Sequence, residues 1–144
     1  MAATGVGNLV IIDGIMNQYS YLNILKNNLS QSASKLGLDG CFTFQKDNDP
    51  KHTARVVREW LLYNVRKQIK KNRPQSPDLN PIEHLWNYLD RQIRKQEIKT
   101  KNDLKKTLLE EWQKIPSSVT QNLVKSVPSR LRAVIKAKGY PTNY

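Results

Sequence analysis

A chain of 144 residues with 38% hydrophobic side chains is one domain's worth of material or part of one, with enough Leu, Ile and Val for a modest core. No apolar run approaches the roughly 18–20 residues of a membrane span, Met1 to Val10 lacks the pattern of a signal peptide, and Cys41 is the sole cysteine. Membrane-spanning and disulfide-framework classes are thereby excluded, the chain reads as intracellular, and its net charge of +12, −1 over residues 1–50 and +13 over 51–144, is that of a partner for polyanions.

In chain order, Leu9–Ile12 is predicted as a short buried strand closed by the turn pair Asp13-Gly14. Leu22, Leu25 and Leu29 recur at helical spacing and predict an amphipathic helix over about Gln18–Leu29. A small polar stretch, Ser30 to Ser34, and a turn around Gly37–Gly40 follow. Cys41–Gln45 alternates as a strand and runs into Asp47-Asn48-Asp49-Pro50, where proline stops it. Strand, helix, strand is the skeleton of a parallel crossover unit.

The second half is more helical. Thr53 is expected to cap a helix striped by Val56, Val57, Trp60 and Leu61, and Val65–Ile69 reads as a weak strand crowded by Arg66, Lys67, Lys70, Lys71 and Arg73. Three prolines make Pro74 to Pro81 an extended, stiff loop. Asn80 then sits at a helix N-cap and Pro81 at the first helical position, ahead of a stripe of Ile82, Leu85, Trp86, Leu89 and Ile93. Thr100 with Asp103 resembles a capping box and opens a helix striped by Leu104, Leu108, Trp112 and Ile115. A last helical region, about Ser118 to Lys138, is expected to be interrupted at Pro128 and ended by Gly139. The three tryptophans all fall on apolar stripes and are expected in the core.

Two carboxylates stand out. Asp47 lies just past a predicted strand, and ligands of open α/β sheets bind at the carboxyl ends of strands. Glu83 lies in the first turn of the helix that the stiff loop delivers, where the helix dipole favours it. Two such groups suit a divalent metal used in phosphoryl transfer, although a strand-end aspartate is more often a turn residue and a first-turn glutamate more often a complement to the helix dipole.

The words around these residues carry a family resemblance. Phe44-Gln45-Lys46-Asp47-Asn48-Asp49-Pro50-Lys51-His52-Thr53 and Pro74-Gln75-Ser76-Pro77-Asp78-Leu79-Asn80-Pro81-Ile82-Glu83-His84-Leu85-Trp86 are similar to two signature blocks of Tc/mariner transposases. Gly5 through Asn17 resembles an earlier block, and Ala137-Lys138-Gly139-Tyr140-Pro141-Thr142 the family's C-terminus. The resemblance implies a ribonuclease-H-like α/β domain whose Asp, Asp, Glu triad holds two Mg²⁺ (or Mn²⁺) ions. By motif match Asp47 is the second aspartate and Glu83 the glutamate, with 35 residues between them. The family reaction is metal-dependent cleavage at transposon ends, then attack of the freed 3′-hydroxyl on target DNA. Asp49, Lys51, His52, Asp78 and Asn80 belong to the blocks and are assigned support of loop geometry.

The same resemblance implies that two strands, with the first triad aspartate, precede this sequence, as do helix-turn-helix modules that read transposon ends. The expectation is therefore a fragment: residues 1–96 the remaining ribonuclease-H-like core, 97–144 a helical extension, unable to transpose alone. In the family sheet Leu9–Ile12 would lie three strand spacings, about 14 Å, from Cys41–Gln45. Asp13 would replace the missing aspartate only if those two strands paired directly. Lys51, Arg66, Lys67, Lys70, Lys71 and Arg73 are candidate DNA contacts, Arg66 to Arg73 reading equally as a solvated edge strand. Lys70-Lys71-Asn72-Arg73 also matches a nuclear-import run, and a nuclear location is expected. Expected partners are DNA and a second copy or a full-length transposase, with no membrane. The rival reading is a non-catalytic basic module that binds nucleic acid or a partner protein.

Overall fold

Asn17 sets where the first helix begins: its side-chain oxygen accepts from the backbone N–H groups of Tyr19 and Ser20, both at 2.9 Å. Helix α1 then spans Gln18–Lys35, running through Ser30 to Ser34, which had been expected as a loop. Burial of Ala33 against the unit's interior continues the helix past its serines, a case of tertiary contact overriding weak propensity. Gly37 and Gly40, both at φ +67°, make the turn that follows. The computed structural model describes residues 1–69, 79–138 and 140. Those residues form two compact units, one of Val10–Pro74 and one of Met1–Leu9 with Gln75–Tyr144.

In the Val10–Pro74 unit, α1 is followed by β1 (Thr43–Phe44), α2 (Pro50–Thr53), α3 (Arg55–Asn64) and β2 (Lys67–Gln68). The strands pair in parallel, Thr43 with Lys67 and Phe44 with Gln68. The β1–α2–α3–β2 path is thus a parallel crossover. Ile69 N–H donates to Phe44 O at 3.0 Å, and the Gln68 amide donates to Leu61 O at 2.9 Å, tying β2 back to α3. Val57 and Leu61 are fully buried, with Leu25 of α1 and Val65 beside them. Each such side chain contributes about 1.5–3 kcal/mol relative to exposure.

Two expectations fail in this unit. Leu9–Ile12 forms no strand: among the described residues it has no ladder partner, and Val10 and Ile12 stand 37% and 45% exposed. An apolar run becomes a strand only where a neighbour takes its backbone hydrogen bonds. Thr53 caps nothing. It ends α2, its hydroxyl donating to Asp49 O at 3.1 Å, and α3 starts at Arg55 behind Ala54, which offers no side-chain cap.

The other unit holds α4 (Pro81–Ile93), α5 (Lys101–Gln113) and α6 (Ser117–Lys136). Asn80 accepts from Ile82 N–H at 3.4 Å and Pro81 takes the first helical position, as expected. Thr100 and Asp103 form a reciprocal capping box, at 3.1 and 2.9 Å. Leu85, Leu89, Trp112, Ile115 and Val6 make the core. The N-terminal residues are part of it: Trp112 Nε1 donates to Gly7 O at 2.8 Å, and the buried Thr120 hydroxyl donates to Ala3 O at 3.1 Å. Residues 97–138, expected within a helical extension, share this core with α4.

Two further expectations are corrected here. Pro128 lies inside a continuous α6 and does not interrupt it. The helix loses one N–H there, while the Ser126 and Ser129 hydroxyls donate to Leu123 O and Ser126 O at 2.7 Å each, engaging carbonyls around the break. Trp86 is 40% exposed, its ring stacked on buried Trp112 at 5.1 Å, and so covers the core from outside. Gly139 lies outside the described residues.

Candidate functional site

Asp47 follows β1 in the Val10–Pro74 unit, and the chain turns at once into the single turn of α2. Asp49 caps that turn, accepting from Lys51 N–H at 2.8 Å, and Pro50 supplies the first helical φ. The Asp49 carboxyl is held below its usual pKa, first by that backbone bond and then by the Lys51 ammonium. Lys51 in turn is paired to Asp49, Nζ to Oδ2 at 3.4 Å.

The effect of α2 is to bring His52 back onto Asp47. His52 Nδ1 contacts Asp47 Oδ1, and Asp49 N–H donates to the same oxygen at 3.2 Å. Oδ2 has no partner among the described residues. The Asp47 side chain is 58% exposed while that of His52 is 17% exposed. The His52 ring lies against the Tyr21 ring of α1, centroids 3.9 Å apart at 32°. Its Nε2 is buried without a partner among the described residues. Tyr21 is pushed up to about 12, by burial first and then by the charges of Asp47 and Asp49, so its phenol stays protonated at neutral pH. Burial lowers the neighbouring Lys46 ammonium, Arg58 adding to that effect and Asp47 opposing it.

Glu83 belongs to the other unit, in the first turn of α4. It is exposed, and the capping Asn80 amide approaches Oε1 at 3.5 Å. Glu83 therefore repeats the pattern of Asp47, one carboxylate oxygen approached by a block residue and the other without a partner among the described residues. Arg66, just before β2, and Lys67, its first residue, are exposed and outside any ion pair among the described residues, while Lys70, Lys71 and Arg73 lie outside those residues. Asp13 follows no strand, and β1 pairs with β2, so the direct pairing that would have let Asp13 replace a triad aspartate is not formed.

Oxygen donors of this kind suit a hard divalent cation. Among the described residues no group of three or more His, Cys, Asp or Glu side chains gathers into a metal-holding cluster, so Asp47 and Glu83 match such an ion in donor chemistry alone. Sequence reasoning missed the His52–Asp47 contact, five positions apart and made only by the tight α2 turn. It also missed buried Arg130 of α6, whose Nη1 contacts His84 Nε2 and whose Nε donates to Ser126 Oγ at 2.7 Å. Those residues line a cavity of about 600 Å³ between α4 and α6.

Residues 41–105 match the DDE superfamily endonuclease family model. The chain is 42% identical over 141 residues to the transposable element Tcb1 transposase of Caenorhabditis briggsae, covering 98% of this chain and 51% of that protein. It is 43% identical over 145 residues to the transposable element Tc1 transposase of Caenorhabditis elegans, covering 99% and 51%. The chain thus spans about half the length of the curated relatives it matches. In structure it is similar to the Mos1 transposase catalytic domain solved with raltegravir and Mg, with a TM-score of 0.85 at 22% identity over 98% of this chain and 73% of that one. It also matches the Mos1 transposase paired-end complex with left transposon end, at a TM-score of 0.82 and 23% identity, over 95% and 41%.

The class defined by this fold and by the family match is the ribonuclease-H-like DDE superfamily. Within that class the chain is similar, over nearly its whole length, to the Tc-type transposases.

Proposed function

We propose that this chain works as part of a metal-dependent DNA transposase, with Asp47 and, by the family motif, Glu83 as carboxylate ligands of Mg²⁺ or Mn²⁺. The observation that carries this reading is the state of Asp47: Oδ1 is fixed by Asp49 N–H and His52, while Oδ2 has no partner among the described residues. Divalent ions bound there would polarise a DNA phosphodiester and lower the pKa of an attacking water. The chain's own residues hold the carboxylates in place, Asn80 at Glu83 and the α2 turn at Asp47. With two of the family's three triad carboxylates in its 144 residues, the chain on its own is expected to bind metal and DNA without cutting. DNA, a second copy of the chain or a full-length transposase are the proposed partners, and the nucleus the proposed location. A fluorescent fusion that stays cytoplasmic would overturn that location.

The test is thermal unfolding with and without Mn²⁺. A ligand that binds only the folded form adds about 2.7 kcal/mol at a hundredfold excess over Kd. Mn²⁺ is expected to raise the melting temperature of the chain but not that of Asp47→Asn. An unshifted wild-type melt would overturn the reading.

A second reading, a non-catalytic basic module, is favoured by the +13 of residues 51–144 and by exposed Arg66 and Lys67. It predicts DNA binding that weakens steeply with salt and is indifferent to Mn²⁺ and to Asp47→Asn.

A further inference from the structure

Resting on the metal-site reading of Asp47, we infer that His52 is a positioning residue, held by Tyr21 and holding Asp47 so that Oδ2 faces the ion. Both contacts to the carboxylate fall on one oxygen, His52 at its ring Nδ1 and Asp49 at its N–H, 3.2 Å away. A carboxylate free to rotate about χ2 presents its two oxygens alternately. One with Oδ1 tied to two donors presents Oδ2 in a single direction.

His52 can act this way only if its own ring is fixed, and three features fix it. The ring rests on Tyr21, 3.9 Å between centroids, and Tyr21 is carried by α1, which packs into the core of its unit through Leu25. The His52 backbone is locked in the α2 turn, its N–H donating to Asp49 O at 2.9 Å. Its side chain is 17% exposed, so few rotamers are open to it. The carboxylate is an acceptor only, so Nδ1 carries the proton in this contact. Nε2, buried with no partner among the described residues, plays no part in holding Asp47.

A packing role and a positioning role separate by side-chain geometry. Asparagine places its amide nitrogen where histidine has Nδ1. Glutamine places it nearer Nε2, and phenylalanine keeps the ring on Tyr21 with no donor. The experiment counts free Mn²⁺ by electron paramagnetic resonance as this chain is titrated, with a thermal melt of each variant alongside. His52→Phe is expected to melt like wild type and to bind Mn²⁺ on the order of tenfold more weakly, the usual effect of losing an outer-shell partner of a metal ligand. His52→Asn is expected to recover most of the affinity and His52→Gln little of it. Should His52→Phe not fold, the asparagine and glutamine pair carries the test.

Equal Mn²⁺ affinity in the asparagine and glutamine variants, or wild-type affinity in a folded phenylalanine variant, would overturn the inference. In either case lost binding in Asp47→Asn leaves the metal-site reading intact. If Asp47→Asn binds Mn²⁺ as well as wild type does, both the inference and the metal-site reading fall together.

Discussion

At the residue scale, Tyr21 and His52 explain why one aspartate of a turn differs from its neighbours. Asp47 and Glu83 are singled out in the sequence by the long signature blocks that surround them. The residues that steady them were legible only as block members assigned to loop geometry. Asp49 and Asn80 fit that assignment, each capping the helix that follows it. What spacing does not reveal is Tyr21, brought to His52 by packing between elements. Its raised pKa has a consequence for pH. A folded-state value of about 12 against an ordinary value of 10 means the protonated phenol is favoured by folding. That contribution is fully present below pH 10 and is lost as pH rises from about 10 to 12. Tyr21→Phe is expected to remove this part of the alkaline fall in stability, read from urea midpoints at pH 8, 10, 11 and 12. The same slope in the variant would refute it.

At the scale of elements, the helices that were read well are those with a chemical start signal. Asn80-Pro81 and Thr100 with Asp103 announce α4 and α5 by local bonds, which depend on nothing distant. The strands were read less well, because a strand needs a partner the local sequence does not name. Leu9–Ile12 has strand composition and no ladder, whereas Lys67–Gln68 has an unpromising charge pattern and pairs with β1. Two substitutions test the helix arguments. Asn17→Ala removes the acceptor for two backbone donors at the start of α1 and should cost about 1 kcal/mol, seen as a lowered urea midpoint. Pro128→Ala restores an N–H in the middle of α6 and should raise the melting temperature. A lower one would mean that the unit needs the backbone φ that proline fixes there.

At the scale of the whole molecule, each unit has its own buried cluster, so core damage has a stated address. Leu85→Ala should cost about 2–5 kcal/mol in the unit built on α4, α5 and α6, reported by the fluorescence of Trp112 as it loses its contacts. The charge distribution was legible from composition alone, and it sets the expected behaviour towards nucleic acid. If residues 51–144 contact phosphates, the logarithm of the DNA-binding constant should fall linearly with that of salt, and Arg66→Ala with Lys67→Ala should reduce the slope by about two. An unchanged slope would remove these two side chains from the interface.

The bond from Trp112 to Gly7 joins residues 105 positions apart, and that separation has a meaning in time. During synthesis at about 5–20 residues per second, Met1–Leu9 emerges roughly 5–20 s before the tryptophan that will hold it. Val10–Pro74 meets no such delay, since α1, α3 and both strands all lie within it. We expect the ribosome to release a molecule whose later-born unit reaches back for residues made about a hundred positions earlier. Chains truncated after residue 100 should then show protease-resistant residues 10–69 and a cleavable Met1–Leu9. Equal resistance of both at that length would show that Met1–Leu9 finds shelter before α5 is in place.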